Sequence, residues 1–175
     1  MHQKLLLGIL LILTVTVATA QTQFETIEER PHEKTFKGWL TRSNLEQEKS
    51  FTWFAENYKA YQPHVAGLQT LQQYRDSIRF LVFMGTWCED SHFIIPRFFA
   101  LADTAGIKAD HISLVGVDRN KTTWGQLSST LHVDLVPTII IYHQGKELGR
   151  VVEYGRYGQF DREIGEIVQK AFARH

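Results

Sequence analysis

A continuous apolar run from Phe80 to Met84 is the feature that most constrains the fold of this chain. Five consecutive apolar residues closed by Gly85 are typical of a strand buried on both faces, because a strand with one wet face alternates apolar and polar residues. Such a strand needs packed elements on both sides of its sheet. The run therefore predicts an α/β domain, and the 175 residues are enough for one domain with a sizeable core.

The segments after this run follow one another in the order that an α/β fold requires. Gln144 and Gly145 predict a turn between the last two strands. Apolar residues at helical spacing predict that the chain ends in an amphipathic helix. The predicted order is helix, strand, short helix, strand, strand and closing helix, over residues 93–105, 112–117, 122–131, 138–142, 148–152 and 160–171.

The N-terminus predicts a secretory signal peptide over residues 1–20. Lys4 precedes an apolar run from Leu5 to Val17, and Ala18-Thr19-Ala20 then provides small residues at the positions typical of a cleavage site. The run is shorter than the roughly 20 apolar residues that span a bilayer, and an uncleaved anchor is the alternative interpretation. We expect an exported protein, periplasmic or secreted, with no stable membrane anchor after cleavage.

Residues 21–78 predict a polar leader and a helical extension ahead of the domain over residues 79–175. The leader, up to residue 42, is acid-rich at first and is expected to be loosely held. Ser43 and Glu46 fit a capping box at the start of a first helix, and Pro63 can open a second helix at its first position. An aromatic stripe at helical spacing is more typical of core packing than of a binding face. Its members are Phe51, Phe54, Tyr58 and Tyr61.

Cys88 is the single cysteine of the chain and directly follows the predicted buried strand, in the stretch GTWCEDSH. Where a strand ends and a helix begins, free N–H groups and the positive end of the helix dipole favour a thiolate. His92, four residues later, could add positive charge when protonated. One cysteine cannot form an internal disulfide, so Cys88 is either a buried apolar residue or a thiol that reacts with other molecules.

Charge and histidine spacing argue against two other kinds of site. The formal net charge is zero, so the chain as a whole gives no reason to expect nucleic acid as a partner. Cys88 and His92 could be two metal ligands, but a metal site normally has three or four, and the other histidines follow no ligand spacing. Metal binding is therefore the less favoured interpretation, and no cofactor is expected.

Several elements of the chain occur in the order of the thioredoxin fold: the strand before Trp-Cys-x-x, a helix containing Pro96, Val136-Pro137-Thr138 before a strand, and the Gly145 hairpin. The stretches GTWCEDS, FKGWLTR and GRVVEY resemble a thioredoxin-like family of exported proteins found in Bacteroidetes-type bacteria. The resemblance covers residues 79–172. It implies a central mixed β-sheet flanked by helices, with the N-terminal helical extension placed before it.

The resemblance also implies a role for each of five site residues. Cys88 would attack or hold the sulfur of a partner, and Ser91 would donate a hydrogen bond to the Cys88 thiolate. Pro137 would follow a cis peptide bond, which is inexpensive only before proline, and would leave the backbone of Val136 open to pair with a peptide. Trp87 would shield the thiol as an apolar wall, the alternative being simple core filling.

Two departures from the family pattern limit the expected chemistry. Redox-active relatives carry a second cysteine at the position of Ser91, and thioredoxins carry a buried acid at the position of Val82. Without both groups a dithiol reductase is not expected. The chain is expected to exchange with protein or low-molecular-weight thiols and disulfides through a mixed disulfide on Cys88. The alternative is a redox-inactive binding module that captures proteins or peptides, so enzymatic activity stays open.

Overall fold

Six strands form one mixed sheet in the computed structural model of this chain, which describes residues 23–173. The strands are β1 (Phe24–Arg30), β2 (Glu33–Leu40), β3 (Arg79–Met84), β4 (Ile112–Gly116), β5 (Thr138–His143) and β6 (Lys146–Val152). Their order across the sheet is β1-β2-β4-β3-β5-β6. The pair β3 and β4 is parallel, and the remaining pairs are antiparallel. The predicted signal peptide over residues 1–20 lies outside the described residues.

Helices flank this sheet, which confirms the predicted α/β fold of thioredoxin type. The helices are α1 (Arg42–Gln47), α2 (Thr52–Lys59), α3 (Val65–Tyr74), α4 (Glu89–Ala105), α5 (Leu127–Thr130) and α6 (Phe160–Phe172). Short 3-10 turns occupy Ala109–His111 and Trp124–Gln126. No helix within residues 23–173 is both long and apolar enough to cross a membrane.

The β3 strand is buried on both faces, as the apolar run predicts. Phe80, Val82 and Met84 pack into the larger apolar core together with residues of α2, α3, α4 and α6. Phe83 belongs to a smaller cluster, in which the partly buried Leu127 of α5 also takes part. The two faces are therefore covered unequally, by several helices on one side and by a short segment on the other.

The prediction of a loosely held leader is wrong for residues 24–40, which form an antiparallel hairpin of β1 and β2. β2 pairs with β4, so the hairpin extends the central sheet. Phe36 and Leu40 are buried in the larger core. Gly116 allows this close approach, because a Cβ atom added there would lie 2.0 Å from the carbonyl oxygen of Phe36. The leader is thus an integral part of the domain.

Three helix starts differ in detail from the sequence prediction. The capping box of α1 lies two residues before the predicted one, where the Thr41 backbone N–H donates to Asn44 Oδ1 (2.7 Å). His64 is the capping residue of α3, so Pro63 stands just before the helix. The short helix predicted after β4 is divided into a 3-10 turn and α5, since Gly125 adopts a positive φ of 64°. None of these shifts alters the order of elements.

Candidate functional site

Cys88 is the N-cap residue of α4 and stands where the chain leaves β3. Its side chain is neither fully buried nor fully exposed. The Sγ atom donates a hydrogen bond to the carbonyl oxygen of Val136, at 3.3 Å. Because a carbonyl oxygen can only accept, the sulfur carries its proton in this arrangement. Cys88 is therefore partly buried at the edge of the smaller apolar cluster, beside the loop before β5.

The Val136–Pro137 peptide bond is cis, as the family resemblance implies. Val136 is only 3% exposed, and its carbonyl oxygen already accepts the Cys88 hydrogen bond. The expected open backbone at Val136 is thus not present while Cys88 is a thiol. The exposed residue at this position is Leu135, which is 48% accessible. Sequence analysis missed Leu135, although its place directly before the Val-Pro pair was visible.

Ser91 is completely buried, in the first turn of α4. Its hydroxyl oxygen accepts a hydrogen bond from the backbone N–H of Gly85, at 3.2 Å. Within residues 23–173, the hydrogen bonds of Ser91 do not include the predicted one to Cys88. The structure therefore corrects this part of the prediction: Ser91 ties the start of α4 to the end of β3, and so supports the loop that carries Cys88.

Residues 85–88 connect β3 to α4 and are called the thiol loop here. Trp87 belongs to this loop and faces the segment after β4. Its indole N–H donates to the carbonyl oxygen of Val117, at 2.9 Å. Gly85 leaves room for the ring, because a Cβ atom there would lie 2.6 Å from Trp87 Cε2. The Arg119 guanidinium carbon and Lys121 Nζ lie 4.9 and 5.8 Å from the ring centroid. Trp87 thus packs between these two segments and carries cations on its face that the sequence analysis did not identify.

Thr86 connects the thiol loop to the N-terminal hairpin. The backbone N–H of Phe36 donates to Thr86 Oγ1 at 3.0 Å, and the Thr86 hydroxyl donates to the carbonyl oxygen of Lys34 at 2.9 Å. Thr86 is 3% exposed, so its hydrogen bonds with the Phe36 N–H and the Lys34 carbonyl are shielded from water. The residue before the Trp-Cys pair is therefore held by a strand that the sequence analysis did not find.

Ion pairs strengthen the same junction. Arg119 Nη2 lies 2.6 Å from Glu33 Oε2. The backbone N–H of Arg119 donates to the Glu29 carboxylate at 3.1 Å. Lys37 Nζ lies 2.7 Å from Asp118 Oδ2. Burial opposes ionisation of Asp118, but hydrogen bonds from Lys37 and Thr122 hold its pKa below the ordinary value. Residues of both hairpin strands thus bind the segment after β4, whose Arg119 and Lys121 lie over the Trp87 ring.

His92 does not supply the positive charge that its spacing from Cys88 suggested. Its Nε2 donates to the carbonyl oxygen of Thr86 at 2.8 Å, and its ring stacks on Trp53 with centroids 4.3 Å apart. Burial lowers the pKa of His92 below its ordinary value, so the ring is neutral at neutral pH. No group of three metal-ligating side chains comes together within residues 23–173. His92 instead fixes the thiol loop against α2.

On the other side of Cys88, Tyr154 and the first turns of α4 form a partly aromatic surface. The Tyr154 hydroxyl donates to Asp90 Oδ1 at 2.8 Å, and its ring lies 5.5 Å from that of Phe93. The hydrogen bond to Asp90, with burial and the nearby charges of Asp90 and Cys88, raises the pKa of Tyr154 to about 12. Tyr154 is 37% exposed. It therefore remains an uncharged hydroxyl at the edge of the site.

Comparisons with known proteins agree with this architecture. A solved protein of unknown function from Pseudomonas aeruginosa has a TM-score of 0.53 and 15% identity, over 76% of this chain and 91% of that one. An HIV epitope-scaffold protein has a TM-score of 0.51 and 13% identity, over 75% of this chain and 99% of that one. At such low identity the likeness concerns the fold alone. No curated protein matches the chain.

The family assignment rests on a model described as thioredoxin, which matches residues 34–171. The match begins inside β2 and ends inside α6, so it includes the Trp-Cys loop and the cis-proline as well as part of the hairpin. It covers well over half of the chain. On this match, and on the fold that frames Cys88, the chain belongs to the thioredoxin family.

Proposed function

We propose that this protein performs thiol–disulfide exchange through a mixed disulfide on Cys88. One observation carries the proposal: the partly buried Cys88 is the N-cap residue of a 17-residue helix, and its sulfur lies beside the cis peptide before Pro137. The thiolate is the nucleophile in exchange. Because Cys88 is not fully buried, we expect a sulfur of another molecule to reach it.

The proposed reaction starts from the hydrogen bond between Cys88 and Val136 O. Loss of the thiol proton to solvent leaves a thiolate, which attacks one sulfur of a partner disulfide. A bond forms between Cys88 and that sulfur, the partner's S–S bond breaks, and the other sulfur leaves with the electron pair. Without its donor, the Val136 carbonyl is free to accept a backbone N–H from the bound partner. In this scheme the Val136 carbonyl becomes available to the partner only when Cys88 has lost its proton.

Release of the partner requires an external thiol in this scheme. Ser91 stands where a resolving cysteine would be, and its buried hydroxyl is bonded to Gly85. A hydroxyl cannot attack the mixed disulfide to give an internal S–S bond. A low-molecular-weight thiol, or a thiol of another protein, would therefore regenerate Cys88. Protein or small-molecule thiols and disulfides are the partners that we propose.

We also propose that exchange occurs after export, in the periplasm or outside the cell. The sequence of residues 1–20 supports this location, because it combines a basic residue, a short apolar run and an Ala-x-Ala end. Disulfides persist in such compartments, so a partner with a disulfide would be available there. Intact-mass analysis of the exported protein should give a chain that begins at Gln21. A mass that retains residues 1–20 would refute the cleavage.

The test of exchange uses the native protein, an oxidised peptide and intact-mass spectrometry. Wild type should accumulate a one-to-one adduct through Cys88 and turn over slowly unless an external thiol is in excess. Ser91→Cys should lower the amount of adduct and form an internal disulfide. Ser91→Ala is the matched control, and should keep the adduct because it adds no thiol. Rapid turnover by wild type without excess thiol would contradict the monothiol scheme.

A binding module without turnover is the second candidate, and the buried Ser91 and Val82 favour it. Neither residue can support the step that releases a partner in dithiol relatives. In this alternative, Leu135 and Tyr154 would provide the exposed apolar contacts beside the thiol. If folded wild type forms no adduct with any disulfide but still binds a peptide, and Cys88→Ser leaves that affinity unchanged, the binding module replaces exchange.

A further inference from the structure

Arg97 is a cation on α4 whose charge is not balanced by a carboxylate within residues 23–173. Its Nη2 donates to Asn57 Oδ1 at 3.3 Å, which pairs one of the five N–H groups of a guanidinium. Its Nε is buried without a hydrogen-bond partner. Burial lowers the pKa of Arg97, while Tyr61 and Tyr154 are the neighbouring groups that oppose this effect. A partly buried, unpaired cation is costly, and an added anion would compensate it.

The position of Arg97 relates it to the thiol. Its guanidinium carbon lies 3.3 Å from the centroid of the Phe93 ring, so the side chain reaches back by one helical turn toward the start of α4. The Phe93 ring contacts Tyr154, whose hydroxyl is bonded to Asp90 in the first turn. The guanidinium therefore lies at about the level of residue 93, roughly 8 Å along the helix axis from Cys88 at 1.5 Å per residue. Positions 88 and 97 are also about half a turn apart around a helix about 11 Å wide, so the two side chains are separated by roughly 13 Å in space.

We propose that Arg97 forms an anion subsite that binds a carboxylate on the partner whose sulfur reacts with Cys88. An extended peptide advances about 3.3 Å per residue, so a span of roughly 13 Å corresponds to about four residues. The fitting partner is a disulfide-bearing peptide with a carboxylate about four residues from its cysteine. The inference rests on the proposed exchange for the partner's sulfur, but the subsite can be tested without it.

The kinetic test compares two acetylated and amidated peptides, Glu-Ala-Ala-Ala-Cys-Ala-Ala-Ala-Glu and Gln-Ala-Ala-Ala-Cys-Ala-Ala-Ala-Gln, each activated as a pyridyl disulfide. Attack by Cys88 forms the Cys88–peptide disulfide and releases pyridinethione, which is followed by absorbance. Wild type should react about ten-fold faster with the Glu peptide than with the Gln peptide, because a charged hydrogen bond forms only with the former. Added salt should reduce this ratio.

The ratio of the Glu-peptide rate to the Gln-peptide rate, measured in Arg97 variants, shows whether Arg97 is responsible for the preference. Arg97→Gln should bring the ratio close to one while leaving the Gln-peptide rate unchanged, and Arg97→Lys should restore part of it. Arg75→Gln is the matched control, because it removes an equal charge beside Gly106 at the far end of α4. Equal rates for the two peptides in wild type would overturn the proposal. An equal loss for both peptides in Arg97→Gln would also overturn it, since that result indicates a structural role.

A binding measurement separates failure of the subsite from failure of exchange. If Cys88 reacts with neither activated peptide, the proposed function fails, and the S-methylated peptides are then titrated by calorimetry. Tighter binding of the Glu peptide by about ten-fold, lost in Arg97→Gln, would still support the subsite. No difference between the two peptides would overturn it.

Discussion

The thiol loop is held from two sides, by β3 and α4 on one and by the N-terminal hairpin on the other, and the forces differ. β3 and α4 are fixed by apolar packing, with Val82, Met84 and Ile95 fully buried. The hairpin contributes Phe36 and Leu40 to the core, but it reaches the loop through polar contacts. These contacts are the Thr86 hydrogen bonds, the Glu33–Arg119 pair and the Lys37–Asp118 pair.

The two sides therefore have different roles: β3 and α4 position Cys88, and the hairpin positions the residues around it. Apolar packing of β3 and α4 sets the place of Cys88. Polar contacts from the hairpin set the position of Thr86, Trp87 and the cations on the indole ring. We therefore expect damage to the hairpin to change the reactivity and surroundings of Cys88 more than it changes the core of the fold.

The largest effect should come from separating the hairpin from the sheet with Gly116→Ala. The new Cβ would lie 2.0 Å from Phe36 O, so β2 must move away from β4. We expect a loss of about 3 kcal/mol in the free energy of unfolding, and faster proteolysis within residues 24–40. Gly149→Ala is the control, since the atoms nearest its Cβ would belong to the Ile167 side chain, at 3.0 Å, and not to the backbone of a neighbouring strand. Equal stability of wild type and Gly116→Ala would show that the hairpin is not integral.

A smaller effect is expected from Thr86→Val, which keeps the shape of the side chain but removes its hydroxyl. The Phe36 N–H and the Lys34 carbonyl would lose their partner at a buried position, at about 2 kcal/mol in the free energy of unfolding. Thr86→Ser keeps the hydroxyl and should recover most of this loss. Denaturant unfolding measures all three proteins. If the valine and serine variants are equally stable, the hydroxyl does not tie the hairpin to the loop.

The smallest effect is a pH dependence that originates at His92, on the α2 side of the loop. Its pKa is lower in the folded protein than in the unfolded chain, so the unfolded state binds more protons in acid. Stability from this group is complete above about pH 6.5 and is lost as the pH falls through the folded pKa. Unfolding measured from about pH 7.5 to 5.5 should show this loss in wild type and not in His92→Gln. His132→Gln, at an exposed position, should behave like wild type.

The two sides of the loop also differ in how far their sequences predict them. The apolar run of β3 and the helix after Cys88 follow local rules, the cis Val136–Pro137 bond follows the family pattern, and all three are confirmed. The hairpin was missed because its acidic residues are typical of a solvated segment. Glu29 finds its partners, Thr35 and the Arg119 N–H, only after the chain has folded. The alternation of Phe36 and Leu40 about Gly38 was the available signal.

The candidate site shows the same limit. Cys88, Trp87 and the cis-proline could be placed from sequence because the family pattern fixes them. Arg97 could not, because its meaning depends on the absence of a neighbouring carboxylate within the described residues, and such an absence is a property of the folded surface. The neutral state of His92 was also hidden, since burial against Trp53 determines it.

The most direct test of the central claim, that Cys88 is an accessible thiol ready for exchange, is its alkylation rate as a function of pH. Iodoacetamide is added to the native protein and to the protein in denaturant, and the Cys88 adduct is counted by mass. The account predicts that the native thiol is alkylated near pH 7 at a rate comparable with that of the denatured protein, because Cys88 is not fully buried. A native thiol that stays unreactive up to about pH 9 and becomes reactive only in denaturant would contradict the account.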